Sequence, residues 1–110
     1  MAKKKKRSLR DRTLRRQAER SAHKLLKDRE RLAKLSAGGS AERPEEVATA
    51  ALIEPRATTE PCLRCGETMR VAEHEAAEHG GQLLRVVNTR CGHCGHARRW
   101  FFRIVAPLPN

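Results

Sequence analysis

The feature that most constrains this chain is a pair of cysteine motifs, each with the pattern CxxCG, in its C-terminal half. The first motif contains Cys62, Cys65 and Gly66, and the second contains Cys91, Cys94 and Gly95. Two residues between the cysteines allow both sulfurs of a pair to bind one metal ion from a tight turn. The following glycine reaches positive φ without strain, so the backbone can turn beneath the sulfur. Two such turns, brought together by a hairpin, complete a tetrahedral site.

We therefore expect the four cysteines to bind one Zn²⁺ ion with a structural role, because four thiolates leave no open position for a substrate. Three alternatives stay open. Two disulfides or a redox pair would need an oxidising compartment, and an iron–sulfur cluster can also use four cysteines. In addition, His93 or His96 could replace one cysteine as a ligand.

The scarcity of aromatic side chains also favours a metal-dependent fold. The chain of 110 residues has one Trp, two Phe and no Tyr, and the three rings are consecutive at Trp100, Phe101 and Phe102. A domain with so few bulky apolar residues buries too little surface to be stable alone, so it needs a metal or a disulfide.

The charge is divided sharply along the chain. Residues 1–36 contain 15 Lys and Arg against 4 Asp and Glu, a net charge of +11. Residues 37–110 contain 9 Arg and 9 Glu, and their net charge is zero. A basic module joined to a neutral one indicates a polyanionic partner.

The first 61 residues predict three segments. Residues 1–7 should be a disordered polybasic tail, because like charges repel. Residues 8–36 predict one long basic helix, with Ser8 as N-cap and good helix formers throughout. Residues 37–61 are rich in Gly, Pro, Ser and Thr, which predicts a flexible linker with a short helix over residues 45–53.

Residues 62–105 predict a three-stranded antiparallel zinc ribbon. Two strands over residues 68–75 and 82–90 flank a turn with Gly80 and Gly81, and residues 97–105 form the third strand. Trp100 and Phe102 alternate with Phe101 along this strand, so they lie on the opposite face. Residues 106–110 form a C-terminal tail. The fold class is a small, metal-stabilised α+β protein.

The segment from Cys62 to Phe102 resembles a family of short bacterial zinc-ribbon motifs. In addition to the two CxxCG motifs, the matching residues are Arg70, Val71, Gly81, His96 and Trp100. The resemblance implies a zinc site and a ribbon fold, and it leaves residues 1–61 unassigned. These ribbons occur in many proteins, so the resemblance implies no particular activity.

The same segment also resembles the ribbon of transcription elongation factor S-II, through its Cys-Gly-His sequence and its aromatic strand. That family has an adjacent Asp-Glu pair at the hairpin tip. Here Glu73, Glu75 and Glu78 lie near the expected tip, but no adjacent Asp-Glu pair occurs. We interpret these glutamates as a solvated acidic turn.

The function that these patterns favour is binding of nucleic acid or a ribonucleoprotein. The expected contacts are basic residues of the N-terminal arm together with an aromatic and basic patch on the third strand. They are Lys3, Lys4, Lys5, Lys6, Arg7, Arg12, Arg15, Arg16, Arg20, Arg99, Phe101 and Arg103. The alternative is an adaptor that docks on a larger machine such as RNA polymerase, without touching nucleic acid.

No enzymatic constellation is present in the sequence: no nucleophile has a paired base, and no phosphate-binding loop occurs. We find no secretory signal or membrane-spanning run, so we expect an intracellular monomer, cytoplasmic or nucleoid-associated. Binding to a membrane surface is disfavoured, because the apolar stripe of the helix lacks Trp and Phe.

Overall fold

The computed structural model describes the backbone of residues 2–105 and the side chains of residues 10–105. The molecule is elongated, with extents of 78 × 25 × 24 Å. Its longest element is helix α1, Ala2–Leu35, which spans about 51 Å at 1.5 Å per residue. Among the described residues, no helix combines the length and the apolar character that crossing a bilayer requires.

Helix α1 begins earlier than the sequence predicted. We expected residues 1–7 to be disordered, but the helix already includes Ala2; Met1 lies outside the described residues. Lys, Arg and Ala all have high helix propensity, so the basic run extends the helix despite its charge. The helix ends as expected before the glycines. Arg43 Nη1 donates a hydrogen bond of 2.9 Å to the Leu35 carbonyl.

After α1 the chain forms one four-stranded sheet, where we had expected three strands. Its strands are β1 (Glu45–Val47), β2 (Met69–His79), β3 (Gln82–Cys91) and β4 (Ala97–Ile104), in the order β1-β4-β3-β2. Strands β2, β3 and β4 are antiparallel, as predicted, and the β2–β3 turn uses Gly80 and Gly81 at positive φ. The additional strand, β1, runs parallel to β4 with Glu45 opposite Phe102.

The segment expected to be a flexible linker is largely folded onto the sheet. After β1, residues Ala50–Leu52 form a 3₁₀ turn, and Ile53–Thr59 form helix α2. Pro55 is tolerated because it lies in the first turn, where a backbone N–H has no helical partner. Ile53 and Ala57, one helical turn apart, are buried against the sheet. The short helix predicted over residues 45–53 is therefore wrong, because pairing with β4 places residues 45–47 in a strand.

The main core lies between α2 and one face of the sheet. It consists of Val47, Ile53, Ala57, Val87, Trp100 and Phe102. Trp100 is at its centre: its ring stacks on Phe102 with centroids 5.9 Å apart, and the guanidinium carbons of Arg56 and Arg98 lie 5.0 and 4.0 Å from it. Trp100 and Phe102 of β4 thus lie on the core face, as the alternation predicted.

A short junction joins α1 to the sheet. The carbonyl of Gly38 accepts a hydrogen bond of 2.8 Å from the backbone N–H of Phe101. Gly38 has φ of 86°, and a Cβ there would lie 3.0 Å from the Trp100 ring, so both conformation and space require glycine. Nearby, Arg29 Nη1 donates to the Leu63 carbonyl at 3.0 Å, and Glu30 lies 3.6 Å from His96 Nε2. These contacts hold the last turns of α1 beside both cysteine motifs.

Candidate functional site

The four cysteine sulfurs form one cluster. Their Sγ atoms all lie within 4.8 Å of one another. Between the two motifs, Cys62 Sγ lies 3.6 Å from Cys94 Sγ, and Cys65 Sγ lies 3.4 Å from Cys91 Sγ. Four thiolates at about 2.3 Å from a tetrahedral zinc ion have sulfurs about 3.8 Å apart, whereas a disulfide needs about 2.05 Å. The cysteines are free thiols in a geometry that fits a metal ion such as zinc.

Each cysteine motif forms a tight turn with the same hydrogen bonds. In the first, the Cys62 N–H donates to the Glu67 carbonyl at 2.8 Å, and the Gly66 N–H donates to the Cys62 carbonyl at 2.9 Å. The corresponding bonds of the second are Cys91 to His96 at 2.9 Å and Gly95 to Cys91 at 3.1 Å. The two glycines have φ of 79° and 78°, as the sequence predicted.

The β2–β3 hairpin brings the two turns together. Met69, at the start of β2, is paired with Cys91, at the end of β3. Cys62, Met69 and Cys91 form a small buried cluster, with Cys94 packed against it. Cys65 and Cys94 are nearer to solvent than Cys62 and Cys91. The four-cysteine cluster thus sits at one end of the sheet, outside the core around Trp100.

Backbone N–H groups favour the thiolate form of one cysteine. The backbone N–H of Cys94, followed by that of His93, lowers the pKa of the Cys91 thiol to about 6, with N···S distances of 3.4 and 3.3 Å. The Glu67 N–H acts in the same direction on Cys65, but desolvation and the three other thiols outweigh it and raise the pKa of Cys65 to about 12. These surroundings favour the thiolate at Cys91 and the protonated thiol at Cys65.

The two histidines near the second motif lie apart from the sulfur cluster. Among the described side chains, the group able to hold a metal consists of the four cysteines. The ring of His96 faces Glu30 of α1, and the side chain of His93 is exposed. This arrangement favours the four-cysteine interpretation over a site in which a histidine replaces a cysteine.

Helix α1 presents a continuous basic face. Arg20, Lys27 and Lys34 repeat every seven residues, and Lys24 and Arg31 repeat alongside them, so these side chains share one side of the helix. Arg16 extends the row by one turn. We call these six residues the basic stripe. All six are exposed, and none forms an ion pair among the described residues.

The basic stripe includes residues that the sequence analysis did not select. We had chosen Arg12, Arg15, Arg16 and Arg20 in the first half of the helix, and of these Arg16 and Arg20 belong to the stripe. Lys24, Lys27, Arg31 and Lys34 were not among the residues selected. The seven-residue repeat was the signal that could have identified them. Lys3, Lys4, Lys5, Lys6 and Arg7 lie on the helical backbone, but their side chains are outside the described residues.

The expected contacts on β4 differ in their availability. Arg99 is exposed, and its Nε donates to Asn88 Oδ1 at 3.1 Å. Phe101 is half-buried, and its ring meets the His79 ring at 85° with centroids 6.0 Å apart. Arg103 is paired with Glu46 of β1, so its charge is already compensated. The sequence analysis did not anticipate this ion pair, because it did not anticipate β1 beside β4; Arg103 as a nucleic-acid contact stays a prediction.

The basic residues of α1 and the predicted contact residues of β4 come close together in one cleft. A cleft of about 620 Å³ lies between the last turns of α1 and β4, and Lys34, Arg99 and Phe101 all line it. Arg20 is about 21 Å from Lys34 along the helix axis, so the first half of α1 is remote from β4. The structure brings together the end of the basic stripe and the aromatic patch, and it separates both from Arg12 and Arg15.

No protein-family model matches this chain, and no curated protein or solved structure is significantly similar to it. The resemblance of residues 62–102 to short zinc ribbons therefore stays a prediction, based on the cysteine motifs and the residues between them.

Proposed function

We propose that Cys62, Cys65, Cys91 and Cys94 hold one structural zinc ion. The support is the sulfur geometry, which matches a tetrahedral four-thiolate site, and the paired turns that direct both cysteines of each motif to the same point. The ion would supply no catalysis, since the four thiolates fill its coordination shell. Its role is to join two turns that otherwise have only a small buried cluster between them.

We propose that the protein binds nucleic acid through α1. The observation that carries this proposal is the basic stripe: six exposed cations on one face of a helix, without acidic partners among the described residues. Cations in this arrangement repel one another, and their simplest compensation is a row of phosphates. The side of the helix that carries the half-buried Leu26, Glu30 and Ala33 is turned to the sheet domain instead, so the stripe remains accessible.

The dimensions of the stripe suit a nucleic-acid backbone. From Arg16 to Lys34 the stripe spans about 27 Å of helix axis. This length corresponds to about eight nucleotides at 3.4 Å per nucleotide along one strand. Lys3, Lys4, Lys5, Lys6, Arg7, Arg12 and Arg15 would add charge at the N-terminal end. We therefore expect affinity without strong base preference along the helix, because phosphate contacts carry no sequence information directly.

The test is the salt dependence of binding. If about 6–10 phosphates are contacted, affinity should fall by about 10³–10⁵ between 50 and 200 mM salt. Replacing Arg20, Lys24 and Lys27 with Gln should lower the slope of log K against log salt by about 2–3, since each lost phosphate contact lowers it by about 0.7–0.9. Fluorescence anisotropy with a labelled oligonucleotide measures both quantities.

A matched control removes equal charge elsewhere. Arg64, Arg70 and Arg90 are exposed in or near the cysteine motifs, and replacing all three with Gln gives the same change in net charge. This variant should keep nearly the full slope. An equal loss of slope in both triple variants would show that net charge, rather than the stripe, determines binding. No binding to any nucleic acid at low salt would refute the proposal.

One observation favours the adaptor as a second candidate. Leu14, Leu25, Leu32 and Leu35 are exposed on α1, with 50–65% of their surface accessible. They lie on the side of the helix next to the basic stripe, where a partner protein could cover them. Recovery of the same partner proteins from cells with and without nuclease treatment would support this function over nucleic-acid binding.

A further inference from the structure

The cleft between α1 and β4 has the size and the walls of a ligand site. Its volume of about 620 Å³ lies within the 300–1,000 Å³ of typical small-molecule pockets. One wall is the end of α1 with Ala33 and Lys34, and the other is β4 with Arg99 and Phe101. Leu63 of the first cysteine motif and His79 of the hairpin tip also line it.

The aromatic wall can accept a flat ring. Phe101 is on the face of β4 opposite to Trp100 and Phe102, so it takes no part in the core around Trp100. Its contact with His79 is perpendicular, and a perpendicular contact occupies at most one face of the Phe101 ring. A planar base could therefore stack on Phe101, an interaction that does not depend on base identity.

The charges around the cleft suit an anionic strand. Lys34 is the last member of the basic stripe and also lines the cleft, so the stripe leads into it. The Arg99 guanidinium is held by Asn88 through Nε, which leaves its terminal nitrogens available. Of the two carboxylates in the lining, Glu30 faces His96, while Glu42 is exposed. Arg98 also lines the cleft, but its guanidinium lies over Trp100 and beside Glu60.

We propose that this cleft takes one unstacked base of a single-stranded nucleic acid whose backbone lies along the basic stripe. The inference rests on the proposed function and specifies its ligand class. A base in a duplex is stacked and paired, so it cannot enter a cleft without being extruded, which costs a few kcal/mol. The chain should therefore prefer single strands to duplexes of the same length.

The test compares single-stranded RNA, single-stranded DNA and duplex DNA of one length, each titrated with the full-length, zinc-loaded chain. Stacking of one base contributes about 1–3 kcal/mol, which corresponds to an affinity difference of about 5- to 150-fold. We expect this preference for both single strands over the duplex. Phe101→Leu should remove most of the preference and leave duplex binding and the salt slope unchanged.

Leu83→Ala is the matched control, because Leu83 is an exposed apolar residue of the hairpin that does not line the cleft. It should keep the preference. The emission of Trp100, on the other face of β4, and the zinc content show whether each variant is folded. If Phe101→Leu does not fold, Arg99→Gln takes its place, with a smaller loss of single-strand affinity expected.

The outcomes separate the two proposals. Equal affinity for single strands and duplex would overturn the proposal that the cleft takes a base, and so would an unchanged preference in folded Phe101→Leu and Arg99→Gln. Either result would leave the proposal of binding along the basic stripe unaffected. A chain that binds none of the three ligands at low salt would overturn the nucleic-acid function itself. Binding to RNA but not to single-stranded DNA would overturn recognition by stacking alone and indicate readout of the 2′-hydroxyl.

Discussion

The sheet domain of residues 38–105 and the first half of α1 differ in what holds them in place. In the sheet domain, Trp100, Phe102 and Ile53 are at most 1% exposed, and a separate cysteine cluster closes the other end. Along residues 10–25 of α1, every side chain is exposed. The first region is stabilised by burial and has a cysteine cluster able to hold a metal ion, whereas the second depends on helix propensity. The buried core and the most exposed charge therefore lie in separate parts of the chain.

Of the variants considered, loss of the cysteine site should have the largest effect on the sheet domain. Cys94→Ser is expected to abolish zinc binding and unfold residues 62–105, because a structural zinc contributes about 10–16 kcal/mol of apparent binding free energy. The emission of Trp100, the only Trp, should shift to longer wavelength, while the helical circular dichroism of α1 changes little. Metal analysis and fluorescence measure the effect.

His93→Ala is the control for this variant, because its exposed imidazole lies outside the sulfur cluster. It should retain one zinc per chain and the native emission of Trp100. Loss of zinc from His93→Ala, or retention of zinc and a native core in Cys94→Ser, would contradict the four-cysteine site.

A smaller effect tests whether α2 belongs to the sheet domain. Ile53→Ala should lower the free energy of unfolding by about 2–5 kcal/mol, because Ile53 is fully buried between α2 and the sheet. Leu52→Ala, at the preceding residue with 52% exposure, should change it by no more than about 0.5 kcal/mol. Denaturant unfolding of the zinc-loaded protein, followed by Trp100 emission, gives both values. Equal, small effects would restore the flexible-linker interpretation.

The smallest effect concerns the junction between the two regions. Arg29→Ala removes the hydrogen bond to the Leu63 carbonyl, which we expect to contribute about 0.5–1.5 kcal/mol. Amide hydrogen exchange in residues 26–35 should accelerate by about 2- to 13-fold without nucleic acid, since each 1.4 kcal/mol is a factor of ten. Arg31→Ala, exposed and without such a bond, serves as the comparison. Identical exchange in both variants would show that this bond does not hold the helix.

Sequence reasoning succeeded where the determining interactions are local. The spacing within each CxxCG motif and the glycines at positive φ are properties of five-residue turns, so each cysteine turn could be anticipated. The cluster of all four cysteines followed once the hairpin between the motifs was also recognised. The alternation along β4 likewise identified Trp100 and Phe102 as core residues. These patterns need no knowledge of distant parts of the chain.

The elements that were missed depend on contacts between distant residues. Glu45–Val47 has no alternating apolar pattern, and it forms a strand because the edge of β4 is available for pairing. The neutralisation of Arg103 by Glu46 follows from that pairing and could not be anticipated without it. Ile53 and Ala57 were recognisable in principle, since apolar residues four apart with Pro55 between them are typical of the first turns of a helix.

The 78 Å length of the molecule makes the junction at Gly38 the base of a lever. A tilt of about 10° at the C-terminal end of α1 moves its far end by about 9 Å, because the helix is about 51 Å long. This displacement is comparable to the Debye length of about 8 Å at physiological ionic strength. A small difference in angle at one buried glycine would thus shift the cations at the far end of the helix by about the distance over which their field acts.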